Sequence, residues 1–222
     1  MMLLTRFAAT LLLALPILAA DATLPELKVE PIDAGSVMTV KNAYSQPLAA
    51  FIIELVDYPG STYSLIDDVY DKPGSTAIQM GGEKKIKVSN MTIGAVPEHV
   101  KLLAAIYMDG ASVGSPEKLK EIMGRRKMRL DTERELIQRI EKAQTDKKEK
   151  DAIVAELREW GNSLVPVAKL GALRPATVDP AKAAARVIIL TAAAKINTQG
   201  IDVELAELKK TEVELAASKP AL

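Results

Sequence analysis

The 222-residue sequence contains no cysteine. That absence excludes a disulfide framework, a thiolate metal site, a cysteine nucleophile and a lipidated amino-terminal cysteine. A single histidine falls short of the two or three imidazoles that most catalytic zinc sites use. Aromatic residues make up only 4%, so stacking platforms for sugar rings are scarce. A glycosidase cleft is disfavoured on that ground, although its two carboxylates would leave no sequence pattern. No Gly-x-x-x-x-Gly-Lys-Ser/Thr loop and no Gly-x-Gly-x-x-Gly after a strand is found, so nucleotide use has no support. Basic and acidic side chains number 29 each, and without a net positive charge nucleic acid is not expected as a partner. What is present is an ordinary globular composition, 48% hydrophobic and 26% charged, sufficient for a buried core in one or two domains.

The sequence opens Met1-Met2-Leu3-Leu4-Thr5-Arg6, continues through an apolar stretch from Phe7 to Leu18, and reaches Ala19-Ala20-Asp21-Ala22. A short basic region, a brief apolar segment and small residues predict a secretory signal peptide over residues 1–20, cleaved after Ala20 or Ala22. Its apolar run is shorter than the ~20 residues of a bilayer-spanning helix. The other apolar run, Val187 to Ala194, is shorter still. The mature chain is therefore expected to lack a transmembrane span and to reside in the periplasm or the exterior. The absence of cysteine in an oxidising compartment favours a bacterial envelope over a eukaryotic secretory route.

From Leu24 to Gly114 the pattern is one of short strands and turns. Strands are predicted at Lys28–Ile32, Ser36–Asn42, Leu48–Tyr58, Lys85–Asn90, Val100–Met108 and Ala111–Val113. Lys85-Ile86-Lys87-Val88 alternates most cleanly, apolar in and polar out. In the longest strand Ala49, Phe51, Ile53 and Leu55 share a face, and Glu54 marks the other face as partly wet. Asp109-Gly110 is a strong hairpin signal. Six or seven short strands bounded by Gly, Pro, Asn and Asp predict a β-sandwich over residues 24–114. Val40-Lys41-Asn42, Phe51-Ile52-Ile53-Glu54-Leu55 and Ile106-Tyr107-Met108-Asp109-Gly110 resemble strands B, C and the F–G hairpin of immunoglobulin- or fibronectin-like modules. The family's paired cysteines and strand-C tryptophan are absent. The resemblance implies binding, spacing or presentation rather than catalysis.

At Ser115 the period changes. Ser115-Pro116-Glu117 is a helix start, with a capping hydroxyl, proline at the first position and an acid at the positive helix end. Leu119, Ile122, Met123, Leu130, Leu136, Ile137 and Ile140 recur at helical spacing to about Ala143, with Gly124 a candidate bend. A second helix is predicted over Asp146–Leu164, followed by an irregular crossover to Val178. Asp179-Pro180 starts a third, reaching Gln199, and its Ala/Val/Ile/Leu content predicts the most buried helix. A polar fourth helix spans Ile201–Ser218, anchored by Leu205 and Leu208. The expected architecture is thus α+β: an Ig-like antiparallel sandwich followed by an α-helical region over residues 115–222.

Charge divides the chain. Residues 21–115 carry a net charge of −5 and residues 116–150 a net charge of +4, which predicts docking within the chain or between copies. Gly110-Ala111-Ser112-Val113-Gly114 fits the Gly-x-Ser-x-Gly nucleophile elbow. His99, however, precedes Ser112 where that fold places it after, and the hairpin turn already accounts for the glycines. Asp57, Asp67, Asp68 and Asp71 interleave with Tyr58, Tyr63 and Tyr70. These residues are weighed as calcium ligands, as an inter-strand connection, or as a protein-binding loop anchored by tyrosines; the last is favoured over calcium. Arg125, Arg126, Lys127 and Arg129 form a basic patch on the first helix.

No catalytic, cofactor-binding or metal residue is assigned. Partner contact is assigned to Tyr58, Tyr63, Asp67, Asp68, Tyr70, Arg125, Arg126, Lys127 and Arg129. The functional expectation is an exported non-catalytic binding or structural module of the cell envelope, acting by protein–protein contact on an unidentified envelope or secreted protein or on a second copy. The alternatives are an extracytoplasmic hydrolase with a dispersed carboxylate or serine site, and a periplasmic assembly factor holding client segments.

Overall fold

Alternating side chains carry the chain to Gly114, and helical spacing takes over at Pro116. The computed structural model describes residues 22–33, 35–56, 63–71, 74–89, 99–165 and 179–222. Its strands are β1 (Glu26–Ile32), β2 (Gly35–Lys41), β3 (Leu48–Leu55), β4 (Tyr63–Asp68), β5 (Glu83–Ser89), β6 (Val100–Tyr107) and β7 (Ser112–Gly114). The helices α1 (Pro116–Thr145), α2 (Lys150–Leu164), α3 (Pro180–Gln199) and α4 (Ile201–Ala216) follow. The protein is a mixed α+β chain with two antiparallel sheets, ordered β1-β2-β5 and β4-β3-β6-β7.

Met38 and Val40 of β2, Phe51 and Ile53 of β3, and Leu102 and Tyr107 of β6 share one buried apolar cluster, so both sheets contribute to a single core. The second face of β3 is dry as well, contrary to the reading from Glu54. Ala50 and Ile52, with Ala104 and Ile106 of β6, are buried against Ile122 of α1, flanked by Leu119 and Met123. The helix lands on the face that alternation alone would leave to water. Glu54 is accommodated at the margin, its carboxylate accepting from Lys118 Nζ at 2.5 Å.

Helix α1 begins where its capping residues place it, with Ser115 Oγ accepting from the Lys118 amide at 3.4 Å and Pro116 at the first position. It runs unbroken through Gly124 for 30 residues, about 45 Å at 1.5 Å per residue. That length lets one helix serve two cores. Ile122 packs on the sheet. Leu136, Ile140 and Ala143 pack with Ile153 and Leu157 of α2, Ile189 and Ile196 of α3, and Leu205 and Leu208 of α4.

Three local expectations need correction. Residues 63–68, read as part of a connection, form an edge strand paired with β3 from Leu55↔Tyr63 to Ala50↔Asp68. Helix α2 starts at Lys150 rather than Asp146, because Lys147 takes a positive φ of 54° in the turn after α1. Helix α3 is not buried all round. Ile189, Ala192, Ala193 and Ile196 face inward, whereas Val187 is 61% exposed.

Both ends of the described region return to the β6–β7 hairpin. The buried Tyr107 hydroxyl donates to the Thr23 carbonyl at 2.5 Å, and burial, with Tyr44 beside it, pushes the Tyr107 phenol up to about 12. At the other end, Lys219 lies against Gly110 and its carbonyl accepts from Arg126 Nη1 at 2.9 Å.

Candidate functional site

The 3–4 spacing of α1 generates a stripe of Leu119, Ile122, Arg126, Arg129, Glu133, Leu136, Ile140 and Ala143. Its middle three positions are charged, yet the stripe faces inward throughout. Two adjoining constellations follow from this.

The first joins the acidic segment to the basic patch. Arg126 is 1% exposed and Asp68, the last residue of β4, 4%. Arg126 Nε donates to Asp68 Oδ2 at 2.6 Å and Nη2 to Oδ1 at 3.1 Å. This is the two-pronged geometry in which a guanidinium best satisfies a carboxylate. Asp68 Oδ1 also accepts from the Tyr70 amide at 3.1 Å, and the Tyr70 ring lies 4.7 Å from the guanidinium carbon. The preceding residue, Arg125, donates through Nη2 to Asp71 Oδ2 at 3.1 Å, and Arg129, one turn further on, donates to the Asp71 carbonyl. Burial raises the Asp71 carboxyl above its usual range despite Arg125. Asp67 pairs with Lys84 of β5 at 2.6 Å, tying β4 to the other sheet.

Of the residues assigned to partner contact, Asp67, Asp68, Tyr70, Arg125, Arg126 and Arg129 are thus brought together, with contacts inside the chain. Lys127 points away, exposed, and pairs with Asp131 at 3.3 Å. Tyr58 lies outside the described residues, as does the Tyr63 side chain. The charge complementarity of the two halves is met within one chain.

The described carboxylates once weighed as calcium ligands each meet a cation instead, and among the described residues no group of three or more His, Asp or Glu is arranged to hold a metal. Ser112 and His99 are not neighbours. Ser112 pairs with Ile106 while His99 precedes Val100 at the other end of β6, about 20 Å away at the strand rise. His99 Nδ1 instead lies 3.0 Å from the Val56 carbonyl.

The second constellation was not anticipated. A cleft of about 230 Å³ lies between α1, α3 and α4, with Asp71 at its edge. Its floor carries Glu133, 1% exposed, and Glu204, 3% exposed. Each keeps its Oε2 without a hydrogen-bond partner. Glu133 Oε1 accepts from Arg129 Nε at 2.8 Å. Lys195 Nζ lies 2.9 Å from Glu207 and 3.7 Å from Glu204 Oε2, the latter too long for a hydrogen bond. The walls are Val187, Ile188, Ala192 and Leu208. Burial raises the Glu133 carboxyl against the pull of Arg129. It pushes Glu204 up to about 7, Lys195 opposing and Glu207 and Glu133 assisting. The signal for both was their place in apolar stripes: Glu133 in α1, and Glu204 with Ile201, Leu208, Thr211 and Leu215 in α4.

A carboxyl at 4.5 when unfolded and about 7 when folded holds its proton more tightly in the folded chain. Its contribution is complete below the unfolded value and is lost as pH rises through the folded one. Stability therefore falls between about pH 5 and 8. Glu204→Gln, neutral throughout, removes on the order of 3 kcal/mol of that fall. Urea unfolding across this range measures both slopes, and parallel slopes would contradict the assignment.

Comparison with protein-family models, curated proteins and solved structures finds no match to this chain.

Proposed function

We propose that the protein is an exported, non-catalytic binding module of the cell envelope that acts by protein–protein contact. In this reading residues 1–20 are a signal peptide, residues 24–114 an Ig-like β-sandwich and residues 115–222 a helical region docked on it. Strand order supports the sandwich: β1-β2-β5 corresponds to A, B and E, and β3-β6-β7 to C, F and G, in two sheets. The strand β4 is placed beside C rather than E, unlike the constant-type order. Among the described residues no helix is long and apolar enough to cross a membrane.

The observation that carries the reading is the outer face of α3. Val187, Leu190 and Ala194 repeat at helical spacing and line an open depression of about 420 Å³ with Thr191, Lys195 and Thr198. Such a stripe is what an amphipathic partner helix engages through its own apolar positions. With Asp71 paired to Arg125, Glu133, Glu204 and Glu207 still outnumber Arg129 and Lys195 in the adjoining cleft, which favours a partner segment bearing basic residues. The acidic loop and basic helix, occupied with each other, are left with a structural role.

A photo-crosslinking residue at Val187 in an envelope extract should trap one stoichiometric protein, while the same residue at the exposed Met80 should not. Ala194→Glu, at an exposed position of the same stripe, should abolish capture without altering the melting temperature. A product of twice the chain's mass would identify a second copy as the partner, and many products would identify an assembly factor. Equal trapping from both positions, or none, would contradict the reading.

A further inference from the structure

We propose that the protein pairs with a second copy of itself along β4, the two four-stranded sheets joining edge to edge into one of eight strands. This goes beyond the protein-contact reading, which rests on α3 and makes no use of the sheets. Among the described residues the two sheets end in four edge strands, β1 and β5 in one and β4 and β7 in the other. An edge offers a row of unpaired amides and carbonyls to any other chain, and proteins blunt it with lysine, proline or a very short strand. Three of these four edges are blunted. Strand β1 exposes Lys28, Glu30 and Pro31, β5 carries Lys84, Lys85 and Lys87, and β7 is only 3 residues long. Strand β4 has none of these devices. Its centre is Ser64-Leu65-Ile66, and its register against β3 runs without a bulge. Its two acids do not guard it, since Asp67 is paired with Lys84 and Asp68 with Arg126 of the same chain.

The backbone fixes how two such edges meet. Just past the strand the Val69 amide donates to the Ala49 carbonyl at 3.0 Å, in step with the Ala50↔Asp68 register. Every second residue of an antiparallel strand bonds to the same neighbour. Leu65 and Asp67 therefore turn their amides and carbonyls to β3, and Ser64 and Ile66 turn theirs outward. A two-fold axis through Leu65, perpendicular to the sheet, keeps the faces of the two sheets continuous. It sets Leu65 opposite its counterpart and Ser64 opposite Ile66 of the second copy, so that these outward groups satisfy one another. No two acids then stand opposite across the seam, an arrangement that would be destabilising. An axis through Ile66 would instead set Asp67 opposite Leu65, an acid against an apolar side chain. The contact is isologous, the same surface serving both copies. A single strand edge is smaller than a permanent interface, so the dimer should be weak, with a Kd between about 10 μM and 1 mM.

The test is sedimentation equilibrium of the purified full chain from about 5 μM to 1 mM, with single thiols as register probes, since the chain has no cysteine. The chain should pass from monomer toward dimer over that range. Ser64→Pro removes an outward amide and leaves the bonds to β3 in place. It should raise the Kd about tenfold or more while leaving the melting temperature at the lowest concentration unchanged. Under diamide, Leu65→Cys should give a disulfide-linked dimer, because directly opposed residues of a non-hydrogen-bonded pair lie within disulfide reach. Ser64→Cys, two residues out of step with its counterpart, should link far more slowly. This pair and the unaltered chain decide the matter even if the proline variant fails to fold. A chain that stays monomeric at the highest concentration, a dimer indifferent to Ser64→Pro, or equal linking from positions 64 and 65 would overturn the proposal. A dimer dissolved by Ala194→Glu rather than by Ser64→Pro would belong to α3, so failure at β4 leaves capture through α3 standing.

Discussion

Arg126→Met lowers the stability of the fold by about 3–5 kcal/mol, the usual cost of removing one partner from a buried ion pair. For a chain of this size that is a fall in melting temperature of roughly 6–20 °C. The loss arises less from the missing attraction than from what remains. Asp68, 4% exposed, keeps one amide donor from Tyr70 and loses both guanidinium bonds, while the Lys219 carbonyl loses its donor at the same stroke. Lys127→Met, one residue along on the same helix, removes only an exposed pair with Asp131 and changes stability by less than about 1 kcal/mol. Thermal unfolding of the two variants side by side checks the contrast. Similar melting temperatures would mean that Arg126 is not buried against the sheet.

Gly114→Ala is the second large effect. Gly114 has a φ of +109°, and a β-carbon there would lie 2.2 Å from the Leu103 carbonyl oxygen and 2.7 Å from the Ala104 α-carbon. Both obstacles are main chain of the neighbouring strand, so no side chain can swing aside. Strained φ alone costs of order 1–3 kcal/mol, and the collision forces β7 off β6. A loss of about 3 kcal/mol or more is expected, among the largest that a single methyl group produces. Ser112→Ala, two residues earlier on an exposed position of β7, should stay within about 0.5 kcal/mol. Urea unfolding of the pair checks the contrast, since a turn and a close strand crossing require the glycines and ignore the serine.

The contrast between these residues shows where the sequence was legible. Alternation at Lys85–Val88, the Asp109-Gly110 turn and the Ser115-Pro116 cap are local signals, set by backbone conformation and by side chains within a few residues. They located β5, the β6–β7 hairpin and the start of α1 to within a residue or two. The dry second face of β3 was not legible, because Glu54 reports only on its own margin while Ile122, 70 residues later, covers Ala50 and Ile52. Strand β4 lacks clean alternation as well, and its edge position leaves Asp67 and Asp68 free to face cations of other elements.

The charged residues were the instructive case. Arg125, Arg126, Lys127 and Arg129 read as one basic patch when taken as a run. Taken as a helix, Arg126 and Arg129 continue the stripe of Leu119 and Ile122 toward Glu133 and Leu136, while Lys127 faces water. A charge at a stripe position must meet a partner when the stripe is buried, and the acidic segment ending β4 supplied it. Glu204 in α4 follows the same rule, except that its Oε2 has no hydrogen-bond partner. Among these buried charges, Arg126 and Asp68 hold the two halves of the molecule together, and Glu133 and Glu204 line the cleft.

The claim on which the rest depends is that the acidic and basic segments are satisfied by each other inside a single chain, through Arg126 and Asp68. A double-mutant cycle with Arg126→Met and Asp68→Leu tests it most directly. The account predicts that each single change is strongly destabilising and that the double variant recovers much of the loss. The coupling should be about 2 kcal/mol or more and independent of protein concentration, as for an intramolecular contact. Additive losses would contradict it, and a coupling that appears only as concentration rises would place the contact between copies instead.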